Sequence, residues 1–162
     1  ICNTIEEVMK YRYRVILADS FPAIDENTLL LKPKNIIVGL GCRKGISEEL
    51  LEKGLLEILK KNHLDMNQIE ALVSIDLKKE EPAVVSLAEK YKVPFLTYSA
   101  EMLNEVEEVS SASSFVKKIT GIDNLCERAA VTYCKKHCEY FELIAGKSIE
   151  TAMTAAIARR NI

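Results

Sequence analysis

After residue 35 the apolar positions alternate between short continuous runs and stripes at helical spacing. Ile36-Ile37-Val38-Gly39-Leu40 is a run suited to a strand covered on both faces, and it feeds a loop, Gly41-Cys42-Arg43-Lys44-Gly45. From Ser47 the period changes. Leu50, Leu51, Gly54, Leu55, Ile58 and Leu59 form one helical face, with Lys53, Glu57, Lys60 and Lys61 solvated. Ser47 supplies an N-cap, and Glu48 and Glu49 follow where the helix dipole favours acids. A second apolar run, Ala71 to Ile75, discharges into Asp76-Leu77-Lys78-Lys79-Glu80-Glu81-Pro82. Pro82 suits the first turn of a helix that buries Val84, Val85, Leu87, Ala88 and Tyr91. Val93 to Tyr98 is a third strand, and Ser99 caps a short helix. Strands alternating with helices predict parallel pairing with right-handed crossovers.

The flanks read differently. Thr4 to Met9 is helical in pattern, Tyr11 to Ala18 alternates into a strand, and Leu29-Leu30-Leu31 is one more before Lys32-Pro33-Lys34. Two strands and a helix cannot close a core, so residues 1–33 either extend the following sheet or have lost their partner; the expectation is the second, the tail of a preceding domain, with 34–162 a domain of their own. Glu105 to Ser114 reads as a polar loop, Phe115 to Ile119 as a brief helix, and Asp123 as the cap of a helix reaching about His137. Tyr140–Ala145 and Ala152–Ala158 then predict an antiparallel hairpin turning around Gly146-Lys147-Ser148. The expected class is α/β: a three-layer α/β/α arrangement with a mostly parallel or mixed sheet and a C-terminal β-hairpin.

Composition narrows the function classes. A chain of 162 residues that is 48% hydrophobic supports one real core. A formal charge of −2, no basic stripe and no Trp argue against nucleic acid as a partner. No apolar run approaches membrane-spanning length, and Ile1 in place of Met leads us to expect an excised piece. Five cysteines without framework spacing favour reduced thiols and a cytoplasmic setting. Cys126, Cys134, His137 and Cys138 lie along one helix, and a line of donors cannot enclose a tetrahedral ion, so no metal site of the protein's own is expected.

The strand ends carry the chemistry. In an open α/β sheet, ligands sit at the carboxyl ends of the strands. There, a glycine loop ahead of a helix N-terminus, reinforced by Arg43 and Lys44, is suited to an anion. Gly45 comes one residue too late for the dinucleotide signature, and no Gly-Lys-Ser/Thr follows. Asp76, Lys78 and Glu81 leave the neighbouring strand at the same edge. A tight structural turn and a charged loop that only solvates remain alternatives at this point.

Four stretches together resemble the C-terminal domain of the CbiG and CobE proteins of cobalamin biosynthesis. They are Val38 to Gly45, Ile75 to Pro82, the run from Leu87-Ala88-Glu89 to Pro94-Phe95, and Thr154 to Arg159, spread over about residues 34–160. Residues 1–33 are similar to the end of the CbiG middle region, which implies a missing amino-terminal domain. The Cys-rich end at Cys134 to Cys138 departs from the family.

The resemblance implies part of a cobalt-precorrin-5A hydrolase of the anaerobic route, which opens the ring lactone, releases acetaldehyde and gives cobalt-precorrin-5B. The cobalt arrives within the corrinoid substrate, and no cofactor of the protein's own is implied. Asp76 or Glu81 is the expected base, with Lys78 or loop amides holding the oxyanion. Gly39, Gly41, Cys42, Arg43, Lys44 and Gly45 are the expected substrate-binding loop, joined by Ser99 and by Glu127. The rival expectation is a non-catalytic corrinoid-binding or carrier module of the CobE type. Other cobalamin-pathway enzymes and the missing amino-terminal domain are the implied protein partners.

Overall fold

A computed structural model describes residues 4–18, 25–106 and 124–161. The expected helix over 115–119, the Asp123 cap and most of the polar loop lie outside the described residues. The chain divides into two units, residues 1–34 and 35–162.

In the first unit Thr4 Oγ1 caps α1 (Ile5–Val8) by accepting from the Glu7 amide. Strands β1 (Arg14–Leu17) and β2 (Thr28–Leu31) pair in parallel, with Val15 opposite Leu29 and Leu17 opposite Leu31. Those four side chains are all exposed, and Pro33 is the sole buried residue among the described residues of this unit. Parallel pairs are ordinarily covered on both faces, and among the described residues this one has no core of its own.

The second unit is built on β3 (Ile36–Cys42), whose alternating side chains feed two opposite cores. Ile36, Val38 and Leu40 pack with Leu51, Leu55 and Ile58 of α2 (Glu48–Lys61) and with Leu87 of α3 (Pro82–Tyr91). Ile37 faces the other way. It joins Val73 of β4 (Ile69–Ile75), Leu103 of α4 (Ala100–Asn104), and Ala129 and Ala130 of α5 (Leu125–His137). Strand β5 (Phe95–Tyr98) continues the parallel set, and β6 (Phe141–Glu150) and β7 (Met153–Arg160) complete the sheet in the order β5-β4-β3-β7-β6.

The three-layer α/β/α class therefore holds, with a mixed sheet. Strand β7 runs antiparallel to β3 along its whole length, from Ile36 opposite Arg159 to Cys42 opposite Met153. Ser47, Pro82 and Ser99 occupy the helix-start positions expected of them.

Two expectations need correction. Leu50 is exposed, because the buried face of α2 is the narrower set Leu51, Gly54, Leu55, Ile58 and Leu59. The hairpin turns at Thr151-Ala152, not around Gly146-Lys147-Ser148, which lie inside β6. Between Ala145, opposite Ile157, and Ser148, opposite Ala155, β6 carries one extra residue, so this polar trio forms a bulge.

Candidate functional site

Because β3, β4 and β5 are parallel, their carboxyl ends open on one edge of the sheet. The β3 loop is short and tied down. The Arg43 amide donates to the Ala152 carbonyl at 3.1 Å, and the Ile46 amide to the Arg43 carbonyl at 3.3 Å. Gly45 has φ +73°, in the left-handed region where a side chain is strained. Its amide donates to Oε1 of Glu81 at 2.8 Å, and Lys78 Nζ donates to Oε2 of the same carboxylate at 3.0 Å. The Glu81 side chain is only 5% exposed and that of Lys78 16%. The anion held by this loop is therefore one the protein itself supplies.

Charge at this junction follows from burial and partners. Burial works against ionised Glu81, but the hydrogen bonds from Lys78 and Gly45 and the charge of Lys44 outweigh it and hold its carboxyl below the usual range. Burial pushes the Cys42 thiol up against the pull of Lys78, so this cysteine is not an activated nucleophile.

One strand over, Asp76 is exposed, and its Oδ1 accepts from Thr97 Oγ1 at 2.6 Å. The register that sets Ile75 opposite Tyr98 brings Asp76 level with Ser99. Ser99 Oγ is occupied in capping α4, accepting from the Met102 amide at 3.4 Å.

Helix α5 places the last candidate over the body of the sheet, apart from that edge. Its first turn packs on Gly39, and Tyr133 near its far end donates to Glu70 Oε1 at 3.0 Å, at the start of β4. Glu127 in that first turn is fully buried, and its Oε1 accepts from the Lys147 amide in the β6 bulge at 2.6 Å. Beside it, burial pushes the Cys126 thiol up to about 11.

The structure thus brings Cys42, Gly45, Lys78 and Glu81 together, with Arg43 and Lys44 exposed on the same loop. Asp76 and Ser99 stand alongside, just past the ends of β4 and β5. Gly39 and Gly41 are set apart from the loop: both lie within β3, Gly41 opposite Thr154, and an added Cβ at Gly39 would come 1.8 Å from the Cys126 carbonyl oxygen. Sequence reasoning passed over Thr97 and Lys147. Thr97 sits inside an apolar strand pattern, and Lys147 looks like an ordinary turn residue. Among the described residues no three His, Cys, Asp or Glu groups could hold a metal, and no helix is long and apolar enough to cross a membrane.

A mixed five-stranded sheet between helical layers, with cations and carboxylates gathered at its strand ends, defines a three-layer α/β domain with a polar edge. The family is shown by residues 36–158, which match the model described as "Cobalamin synthesis G C-terminus"; the chain belongs to that family. It is 33% identical over 135 residues to the cobalt-precorrin-5A hydrolase of Priestia megaterium, covering 83% of this chain and 35% of that one. With the Salmonella typhimurium protein of the same name it shares 34% over 116 residues, 72% of this chain and 33% of the relative. The chain thus spans about a third of the length of these curated relatives. Among solved structures it is similar to CobE, "a protein from the cobalamin (vitamin B12) biosynthetic pathway", with TM-score 0.72 and 29% identity, covering 78% of this chain and 91% of CobE. A cobalamin biosynthesis protein G homologue from Sulfolobus solfataricus shares the fold at TM-score 0.60 and 20% identity, over 91% of this chain and 44% of that one.

Proposed function

We propose that this chain is the C-terminal part of a cobalt-precorrin-5A hydrolase, acting in the anaerobic route to cobalamin in the cytoplasm. Its reaction opens the lactone of a contracted cobalt-corrinoid ring and releases the two-carbon unit as acetaldehyde, giving cobalt-precorrin-5B. Identity to two curated hydrolases supports the reading, and the observation that carries it is the shared edge of the Gly45–Glu81–Lys78 junction and Asp76. The cobalt belongs to the substrate, and the reaction as written calls for no cofactor of the protein's own. The rest of a longer polypeptide and other enzymes of the pathway are the proposed protein partners.

Lactone opening needs a water activated beside the carbonyl and a donor for the oxyanion that develops. Both oxygens of Glu81 are engaged, and a carboxyl held below its usual range is a weak base, so Glu81 acts as a positioning residue. Asp76 is exposed, shares only its Oδ1 with Thr97, and is the general base in this reading. The Lys78 ammonium is the proposed oxyanion donor. Arg43 and Lys44, exposed on the loop, are chemically matched to the acetate and propionate carboxylates that fringe the ring.

Anaerobic incubation with cobalt-precorrin-5A, followed by mass spectrometry and an acetaldehyde trap, tests this directly. Loss of the two-carbon unit is expected, and Asp76→Asn should slow single-turnover opening by about 10²-fold or more. Opening that is unchanged in Asp76→Asn sinks the base assignment. A second reading, a non-catalytic corrinoid carrier, is favoured by one observation: 78% of this chain matches 91% of CobE. Binding without release of acetaldehyde decides for it.

A further inference from the structure

Among the described residues β5 is an edge strand with β4 as its one partner in the sheet, and the chain reaches it from α3 through Lys92-Val93-Pro94. Between this edge and α3 lies an open groove of about 670 Å³, within the usual size range of small-molecule sites. Val85 and Ala88 of α3 form one wall, Pro94 and Phe95 another. Among the described residues two cations line it, Lys79 and Lys92, against a single carboxylate, Glu89.

The placement of the charges is informative. Lys92 precedes β5, while Lys79 follows β4, at the end where Thr97 also lines the groove. Lys92 is the left-handed C-cap of α3, and the five residues from Val93 to Thr97 span roughly 13 Å when extended, so the cations stand toward the two ends of an apolar floor. Thr97 also donates to Asp76, so the groove and the proposed base share a residue.

We propose that this groove seats one face of a planar macrocycle fringed with carboxylates, with Lys79 and Lys92 receiving carboxylates at its two ends. The apolar floor matches the ring face and the paired cations match its acidic rim. The assignment rests on the corrinoid reading above and deepens it by naming where the ring lies: along β5, with its reacting edge toward Asp76.

Absorbance titration of the whole chain with cobyrinic acid, a corrinoid with free peripheral carboxylates, provides the test, with the amidated corrinoid cobinamide as the control. Lys79→Gln combined with Lys92→Gln should weaken cobyrinic acid binding at least tenfold and flatten its salt dependence, with little effect on cobinamide. Val85→Glu, which puts a carboxylate on the apolar wall and leaves the lysines in place, should weaken both ligands. Thermal melts of each variant separate these effects from misfolding. Cobyrinic acid binding that is equally tight in all variants overturns the groove assignment and leaves the corrinoid reading standing. A wild-type chain that binds neither corrinoid overturns both.

Discussion

Glu81 joins two segments 36 residues apart, since Gly45 and Lys78 both donate to its carboxylate. Its folded pKa lies below the ordinary value of 4.5, so its stabilising effect is complete above about that pH and is lost as the pH falls through the lowered value. Glu81→Gln should destabilise the protein by about 1.5–3 kcal/mol at neutral pH, the range for a buried charge-assisted hydrogen bond. Melting curves across pH check the sign: the gap between wild type and variant should close on acidification. A gap of constant size would remove Glu81 from the linkage. Gly39 makes a different demand. Gly39→Ala would drive a methyl into the Cys126 carbonyl, which is backbone and cannot rotate away, so a loss of about 3 kcal/mol or more is expected by denaturant unfolding. At Gly41 the nearest obstacle is the Thr154 hydroxyl, 2.6 Å from the added carbon, so Gly41→Ala should cost less. Equal losses at the two positions would mean that α5 shifts freely.

Among the elements, those whose signals are local are legible in the sequence itself. The apolar runs of β3 and β4, the caps at Ser47 and Ser99, and Pro82 at the start of α3 depend on residues within a few positions of one another. The hairpin was not legible in the same way. Gly146-Lys147-Ser148 has turn-like composition, yet it stays within β6 because Glu127, twenty residues earlier, receives the Lys147 amide. Nothing local announces that contact. For the same reason the strand-end edge was readable from Gly41, Arg43 and Asp76, while the grip of Glu81 on Gly45 required the two segments to meet in space. Glu127→Ala should free the bulge: hydrogen exchange at the Lys147 amide should quicken, with about 1–3 kcal/mol of stability lost from the unmade bond. Unaltered exchange would show that the bulge holds its shape without α5.

Across the whole molecule, the two hydrophobic clusters that organise the sheet lie entirely within residues 35–162. A chain starting at Asn35 should therefore unfold in one cooperative transition, as a domain with its own core does. A broad, non-cooperative melt would show that the first 34 residues are needed to complete it. The exposed faces of β1 and β2 make the opposite forecast for the first unit, which alone should give no cooperative transition, as circular dichroism would show.

The interior position of β7, beside β3, also bears on how the protein is made. When the ribosome has delivered β3, β4 and β5, the long side of β3 that belongs to β7 still has no partner. More than a hundred residues separate Cys42 from Met153, a delay on the order of ten seconds at ordinary elongation rates. For that interval Ile36, Val38 and Leu40 sit on a strand with an open edge, the state in which nascent chains join one another or recruit chaperones. Codon choice and chaperone supply over those hundred residues, more than the final stability of the sheet, should set how much of this protein a cell recovers in folded form.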